Sequence, residues 1–503
     1  MFENQPKGLY ALALANTGER FGYYTMLAVF ALFLRANYGL TPGTAGVIYS
    51  SFLMFVYFFP LIGGFMADKF GFGKMVTTGI IIMFLGYLLL SVPLGGNTVA
   101  LVVMLVALLS IGLGTGLFKG NLQVMVGDLY NDPQFADKRD SGFSIFYMAI
   151  NIGALFAPTA AIRIMEWAQQ SLNVSENDSY HFAFAVACAS LILSIAIYYA
   201  FRSTFRHVEG GSKKNGNTSE EDTLSPSETK ERLIALLLVF GVVAFFWMSF
   251  HQNGLSLTYF ANEFTETSAD GLKAMAFNVW NLVAIIVMVY AAFSLFQGKS
   301  FSGKVKSGLV IIAALAFLSY SYNSIEGSVE VKAPIFQQFN PFYVVALTPV
   351  SLAIFGWLAA RNKEPKAPRK IAYGMIVAAV AFCLMLYASL TLPSPADQAN
   401  LGDAAPRVSS YWLISTYLIL TFGELLLSPM GISFVSKVAP PKYKGACMGG
   451  WFVSTALGNQ LVMVGGLLWG DLPLWTVWAV FACLCLLAAA FMFLIMKRLE
   501  KVC

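Results

Sequence analysis

Apolar stretches of about 20 residues recur along this chain, and at 1.5 Å of rise per residue each is long enough to cross the ~30 Å hydrocarbon core of a bilayer. Fourteen are read, at 9–34, 45–67, 76–93, 98–127, 142–162, 181–201, 233–260, 274–296, 307–322, 335–359, 371–392, 410–436, 446–469 and 474–496, the ninth being short. In lipid every backbone N–H and C=O must be satisfied within its own segment, so such a chain folds as a bundle of spanning helices. Composition agrees, because hydrophobic residues make up 57% and charged residues only 12%, about half the charge of a soluble domain.

Charge placement tests the count independently. With a cytoplasmic N-terminus, Arg35, Arg163, Lys273, Lys332 and Arg407 fall outside and Arg20 and Lys119 lie within the membrane, leaving the rest of the 32 Lys and Arg residues inside. That bias is the positive-inside rule. Without the ninth span, Arg361, Lys363, Lys366, Arg369 and Lys370 would all move outside and spoil it. Both termini are therefore expected in the cytoplasm of a multi-pass plasma-membrane protein, and the short loops point to a bacterial inner membrane. The net charge of +5 follows from the same bias and implies no nucleic-acid partner. No cleavable signal peptide is read, since the first apolar stretch is full length and has no clear cleavage site. The cysteines have no metal-ligand spacing, so neither metal nor cofactor is expected. Asn173-Val-Ser175 and Asn177-Asp-Ser179 match a glycosylation acceptor that matters only in a eukaryotic host.

One sizeable polar break, 203–232, is rich in Ser, Thr, Lys, Glu and Gly and reads as a cytoplasmic linker. It divides a six-helix bundle at 1–202 from a second bundle at 233–503 that holds an extra helix pair near 274–322. Two bundles joined in this way suit a carrier that rocks around a central site.

Within the first span, Asn16-Thr-Gly-Glu-Arg-Phe-Gly-Tyr-Tyr24 places Asn16, Glu19, Arg20, Tyr23 and Tyr24 on one broad helix face, opposite Leu14, Phe21, Ala28 and Val29. Ionised groups at this depth cost roughly 2.5–3.5 kcal/mol each and persist only against protein or water. The face therefore lines a polar solute pathway, or else holds a buried pair that locks helices together.

Tyr57 precedes Pro60-Leu-Ile-Gly-Gly64-Phe-Met-Ala-Asp68-Lys69-Phe-Gly71 at the end of the second span. The glycines permit close helix approach, and Asp68 and Lys69 can bind helix ends. The segment resembles the loop motif of major facilitator superfamily carriers. Lys119 in Gly116-Leu-Phe-Lys-Gly-Asn121, Asn151 in Phe146-Tyr-Met-Ala-Ile-Asn-Ile-Gly-Ala-Leu-Phe-Ala-Pro158, and Gly423-Glu-Leu-Leu-Leu-Ser-Pro-Met-Gly431 followed by Gly450-Trp-Phe452 and Gly458-Asn459 extend the match. Together with Glu19-Arg-Phe-Gly-Tyr-Tyr24 these segments closely resemble the proton-coupled oligopeptide transporter family.

The resemblance implies a major facilitator fold of two six-helix bundles plus two extra helices, 14 spans in all. It also implies import of di- and tripeptides by alternating access. In that reading Arg20 offers a planar fork to the peptide carboxylate, aided by Lys119 and Asn151, and Glu424 accepts the ammonium. Tyr23, Tyr24, Tyr57, Trp247 and Trp451 form adaptable walls, and Asn340 before Pro341 takes a similar role. Plainer readings stay open. Lys119 and Glu424 can pair as a gate, Trp247 and Trp451 can be packing aromatics, and Tyr57 and Asn340 can satisfy backbone groups at helix breaks.

The sequence also departs from the family. Asn16 stands where the motif usually begins with Glu, and an Asn cannot carry a transported proton. Leu27 replaces a usual Arg, and in Phe246-Trp-Met-Ser-Phe-His251 a usual acid is His251. The two losses remove a pair together and leave no orphan charge. Glu19, Glu424 and His251 remain as proton-coupling candidates, with His251 as a helix-packing donor the plain alternative. A same-fold facilitator or symporter for another small organic solute or anion is the rival function, although Glu424 would repel a bare anion. No H-E-x-x-H, phosphate-loop or G-x-S-x-G motif points to an enzyme. A monomer with peptides, protons and the lipid bilayer as partners is expected.

Overall fold

The structure is a computed structural model and describes residues 4–210, 224–298, 300–440 and 443–502. Part of the expected linker, 211–223, therefore lies outside the described residues, as do the side chains of Pro429 and Met430 in the Gly423–Gly431 motif. The elements in order are α1 (Lys7–Tyr38), α2 (Pro42–Phe70), α3 (Phe72–Leu90), α4 (Thr98–Asp128), α5 (Arg139–Leu172), α6 (Glu176–Ala200) and α7 (Pro226–Phe250). Then come α8 (Ser256–Glu263), β1 (Ser268–Ala269), α9 (Gly271–Ala276), α10 (Val279–Gln297), α11 (Phe301–Asn323), β2 (Val329–Glu330), α12 (Phe339–Ala359) and α13 (Ala367–Ser389). The chain ends with α14 (Pro395–Leu401), α15 (Tyr411–Val438), α16 (Lys444–Leu461), α17 (Met463–Leu467) and α18 (Leu474–Lys501).

Among the described residues fourteen helices have 18 residues or more, one for each expected span. Twelve spans are long and apolar enough to cross a membrane. The two outside that set are α1, diluted by its polar face, and α16, which is short and rich in Gly, Ser, Asn and Gln. Several boundaries differ from expectation, and two of them are instructive. The ninth helix starts at Phe301, because the Ser300 hydroxyl caps the Gly303 N–H at 3.5 Å and the Lys-bearing first turns are helical. The seventh span is broken: α7 gives way to a 3-10 turn at His251–Gly254 before α8 begins.

The chain divides into two compact units, Met1–Leu255 with Ile432–Leu468 and Leu494–Cys503, and Ser256–Gly431 with Trp469–Phe493. In the first unit small residues let helices touch. A side chain on Gly63 of α2 would strike the Gly116 carbonyl of α4, and one on Gly79 of α3 would strike the Gly114 carbonyl. Interhelical hydrogen bonds add to this packing, as expected where lipid offers no competing partner. Ser194 Oγ donates to Ala15 O at 2.6 Å, Thr17 Oγ1 to Ala149 O at 3.1 Å, and the Asn121 amide to Gly63 O at 3.2 Å. The amides of Asn459 and Gln252 donate to Leu53 O at 3.4 Å and Val462 O at 3.0 Å. After α6 the chain folds back on its own bundle. Glu209 accepts from Arg202 Nη2 at 2.8 Å and the Tyr198 hydroxyl at 3.0 Å, and its carbonyl takes the Gly73 N–H at 3.0 Å.

In the second unit α13 meets α15 at Gly374 and Gly423, and Trp478 Nε1 donates to Ser389 Oγ at 3.0 Å. The extra pair, α10 and α11, presents much of its surface outward, with Phe301, Leu309, Ile312 and Leu315 exposed on α11. Its flanking segments pair as β1 and β2, antiparallel, with Ser268 opposite Glu330. Beside them the Glu266 carboxylate gathers Lys273 Nζ at 2.7 Å, the Ser410 N–H at 3.0 Å and the Ser410 hydroxyl at 2.9 Å.

Candidate functional site

The polar face of α1 is buried in the first unit: Glu19 is 1% and Arg20 2% exposed. Arg20 closes its fork on its own neighbour, with Nε 2.5 Å from Glu19 Oε2 and Nη2 2.5 Å from Oε1. The bidentate pair cancels both charges and occupies the Nε–Nη2 edge of the guanidinium, leaving the Nη1 end outside the pair. The guanidinium carbon lies 4.5 Å from the centroid of the Tyr23 ring. Tyr23 meets Tyr24 edge-on at 5.1 Å and approaches Phe52 of α2 at 6.2 Å.

A second row of groups runs from α4 through α2 to the end of α7. Lys119 Nζ lies 4.1 Å from the Tyr57 ring centroid, a cation–π contact. The Tyr57 ring is 6.4 Å from His251, whose imidazole stacks on the Trp247 indole at 5.3 Å with 25° between planes. Lys119 has no carboxylate partner among the described residues, although its charge interacts with those of Glu19 and Arg20 and acts on the His251 ring. Glu19, Arg20 and Lys119 therefore sum to +1. His251 Nε2 and Trp247 Nε1 are buried without a hydrogen-bond partner, which in a native interior calls for an explanation.

Other expected positions are ordinary in this state. Asn151 is buried and donates to Tyr147 O of its own helix at 3.0 Å. Trp451 packs on Phe240, with ring centroids 6.5 Å apart. Asp68 and Lys69 are exposed, Lys69 lying over Phe70 at 5.4 Å. No atom would meet a side chain at Gly64, so the close approach belongs to Gly63. Gly71, at φ 93°, ends α2 by returning its N–H to Ala67 O at 2.8 Å.

In the second unit the Asn340 amide donates to Glu424 Oε2 and to Thr421 Oγ1, each at 3.0 Å. Asn340 thus holds a carboxylate, and Glu424 is 8% exposed. Thr421 was missing from the candidates, and its signal was its place three residues before Glu424 on one helix face. Chemically, the first unit offers an uncompensated ammonium among aromatic rings, and the second offers a buried, oriented carboxylate.

Comparison with known proteins adds the following. The model of the POT family matches residues 73–224 and 315–465. The "Di-/tripeptide transporter" of Lactococcus lactis subsp. lactis (strain IL1403) is 27% identical over 496 residues, covering 92% of this chain and 89% of that protein. The "Uncharacterized transporter YclF" of Bacillus subtilis (strain 168) is 29% identical, covering 93% and 89%. Among solved structures, a peptide transporter POT in complex with sulfate superposes with a TM-score of 0.74 at 22% identity, covering 100% of this chain and 96% of that one. A POT family transporter in complex with 5-aminolevulinic acid gives a TM-score of 0.74 at 20% identity, covering 99% and 98%.

Proposed function

Because this chain belongs to the POT family, and is a multi-pass transporter, we propose that it imports di- and tripeptides together with protons by alternating access. The observations that carry the reading are one group in each unit taken by itself: the ammonium of Lys119, with no carboxylate partner among the described residues, and the Asn340-held carboxylate of Glu424. A peptide carries one partner for each, whatever its side chains. Lys119 takes the peptide carboxylate, aided by Arg20 and Asn151. Glu424 takes the ammonium, and Tyr23, Tyr24, Tyr57, Trp247 and Trp451 supply adaptable apolar surface. Relatives named as peptide transporters in Lactococcus lactis and Escherichia coli support the substrate class.

Proton coupling passes through Glu19, Glu424 or His251, since Asn16 cannot titrate. The bundles at 1–202 and 233–503 are the moving bodies, joined by the linker at 203–232. The carrier is a monomer in a bacterial inner membrane with both termini in the cytoplasm, and Asp68, Lys69 and their glycines sit on that side. Uptake of labelled dialanine into proteoliposomes, with and without an inward proton gradient, tests the reading. Accumulation that collapses with the gradient is expected. Gradient-insensitive equilibration, which the losses at Asn16, Leu27 and His251 would allow, assigns a facilitator. Absence of uptake by folded protein removes the peptide.

A further inference from the structure

The two orphaned nitrogens carry an inference about which peptides are preferred, resting on the peptide reading above. An indole N–H can only donate. Trp247 is 9% exposed, and its Nε1 has no acceptor. Beside it, on a ring stacked 5.3 Å away, His251 Nε2 is equally unpartnered. In the Nε2–H tautomer of the neutral ring that nitrogen donates too. Lys119 is the adjoining charge, bound to no carboxylate among the described residues and 4.1 Å from the centroid of the Tyr57 ring. With His251 in its Nε2–H tautomer the unmet polar groups on this patch are donors or a cation, and the nearby acid among the described residues, Glu19, is consumed by Arg20. A buried donor without an acceptor is destabilising, and a ligand acceptor relieves that cost.

We propose that Trp247 and His251 form a side-chain subsite that selects peptides bearing a carboxylate side chain, with Lys119 holding the terminal carboxylate beside it. The charge count agrees: a peptide with an Asp or Glu side chain carries net −1, and Glu19, Arg20 and Lys119 together carry +1. A carboxylate outranks an amide here because hydrogen bonds with one charged partner are about twice as strong as neutral ones.

The test is competition against labelled dialanine uptake by the full-length protein in proteoliposomes, using Ala-Asp, Ala-Asn and Ala-Leu as competitors. Wild type is expected to be inhibited by Ala-Asp at about a tenth of the Ala-Leu concentration, with Ala-Asn between. Trp247→Phe keeps a ring and deletes the donor, and is expected to bring the Ala-Asp to Ala-Leu ratio to within about twofold. His251→Phe is expected to lower the ratio in the same direction. Reading a ratio within one preparation keeps partial loss of folded carrier out of the result. Equal inhibition by the three competitors in wild type overturns the subsite and leaves peptide transport standing. A ratio unchanged in Trp247→Phe also overturns it, making the indole a packing ring. Failure of wild type to take up dialanine overturns both readings.

Discussion

Glu19 and Arg20 illustrate how much one side-chain rotamer decides. Residues one apart in a helix point about 100° from each other, and on spacing alone Arg20 has a free fork for substrate. The long side chains instead turn toward each other and close a buried bidentate pair, which passes the role of unpaired cation to Lys119. Breaking a buried pair from one side leaves an uncompensated charge and costs about 3–5 kcal/mol. Glu19→Ala should therefore lower thermal stability in detergent sharply, and Glu19→Ala combined with Arg20→Ala should recover part of the loss. Lys119→Gln removes the sole net charge of this cluster. It is expected to reduce dialanine uptake at least tenfold with little change in melting temperature. The polar face of α1 and the ionisable positions Lys119 and Glu424 were legible because charged groups stand out inside apolar spans. The Asn340–Glu424 bond was not, since it joins helices 84 residues apart in sequence.

At the scale of elements, apolar length located all fourteen long helices, while their ends and breaks depended on local polar contacts that hydropathy does not register. Hydropathy runs straight through His251, whereas the chain turns there: Gln252 sends its amide to the carbonyls of Met248 and Val462. Helix approach was legible as glycine but not as which glycine. Gly63→Val should clash with the Gly116 carbonyl and cost about 1–3 kcal/mol or more. Gly64→Ala has open space within a helix and should stabilise by about 0.5–1 kcal/mol. Opposite shifts in melting temperature for adjacent glycines would establish the assignment.

The loop around Glu266 makes a pH prediction. Burial raises its carboxyl, but hydrogen bonds from Lys273 and from the Ser410 N–H and hydroxyl prevail and hold it below the ordinary range. A depressed folded value means the stabilisation is present above the unfolded value, ~4.3, and is lost as pH falls through the folded one. Amide protection at 264–278 and 405–411 should therefore weaken on acidification below about pH 4, and Glu266→Gln should remove that dependence.

At the scale of the whole molecule, the cancellation of Glu19 by Arg20, with Lys119 left over, has an electrical consequence. A neutral dipeptide entering with one proton carries one positive charge across the membrane, a movement worth about 2.3 kcal/mol per 100 mV, or about fortyfold in accumulation. A dipeptide with an acidic side chain, accompanied by the same proton, carries none. Under the proposed subsite and one-proton coupling, the acidic peptide is a cargo on which membrane voltage does no work. Electrometry on supported membranes should record a current with dialanine and almost none with Ala-Asp at equal uptake. For such peptides the pH gradient alone would fill the cell, and a cell at neutral external pH would hold scarcely more of them than its surroundings.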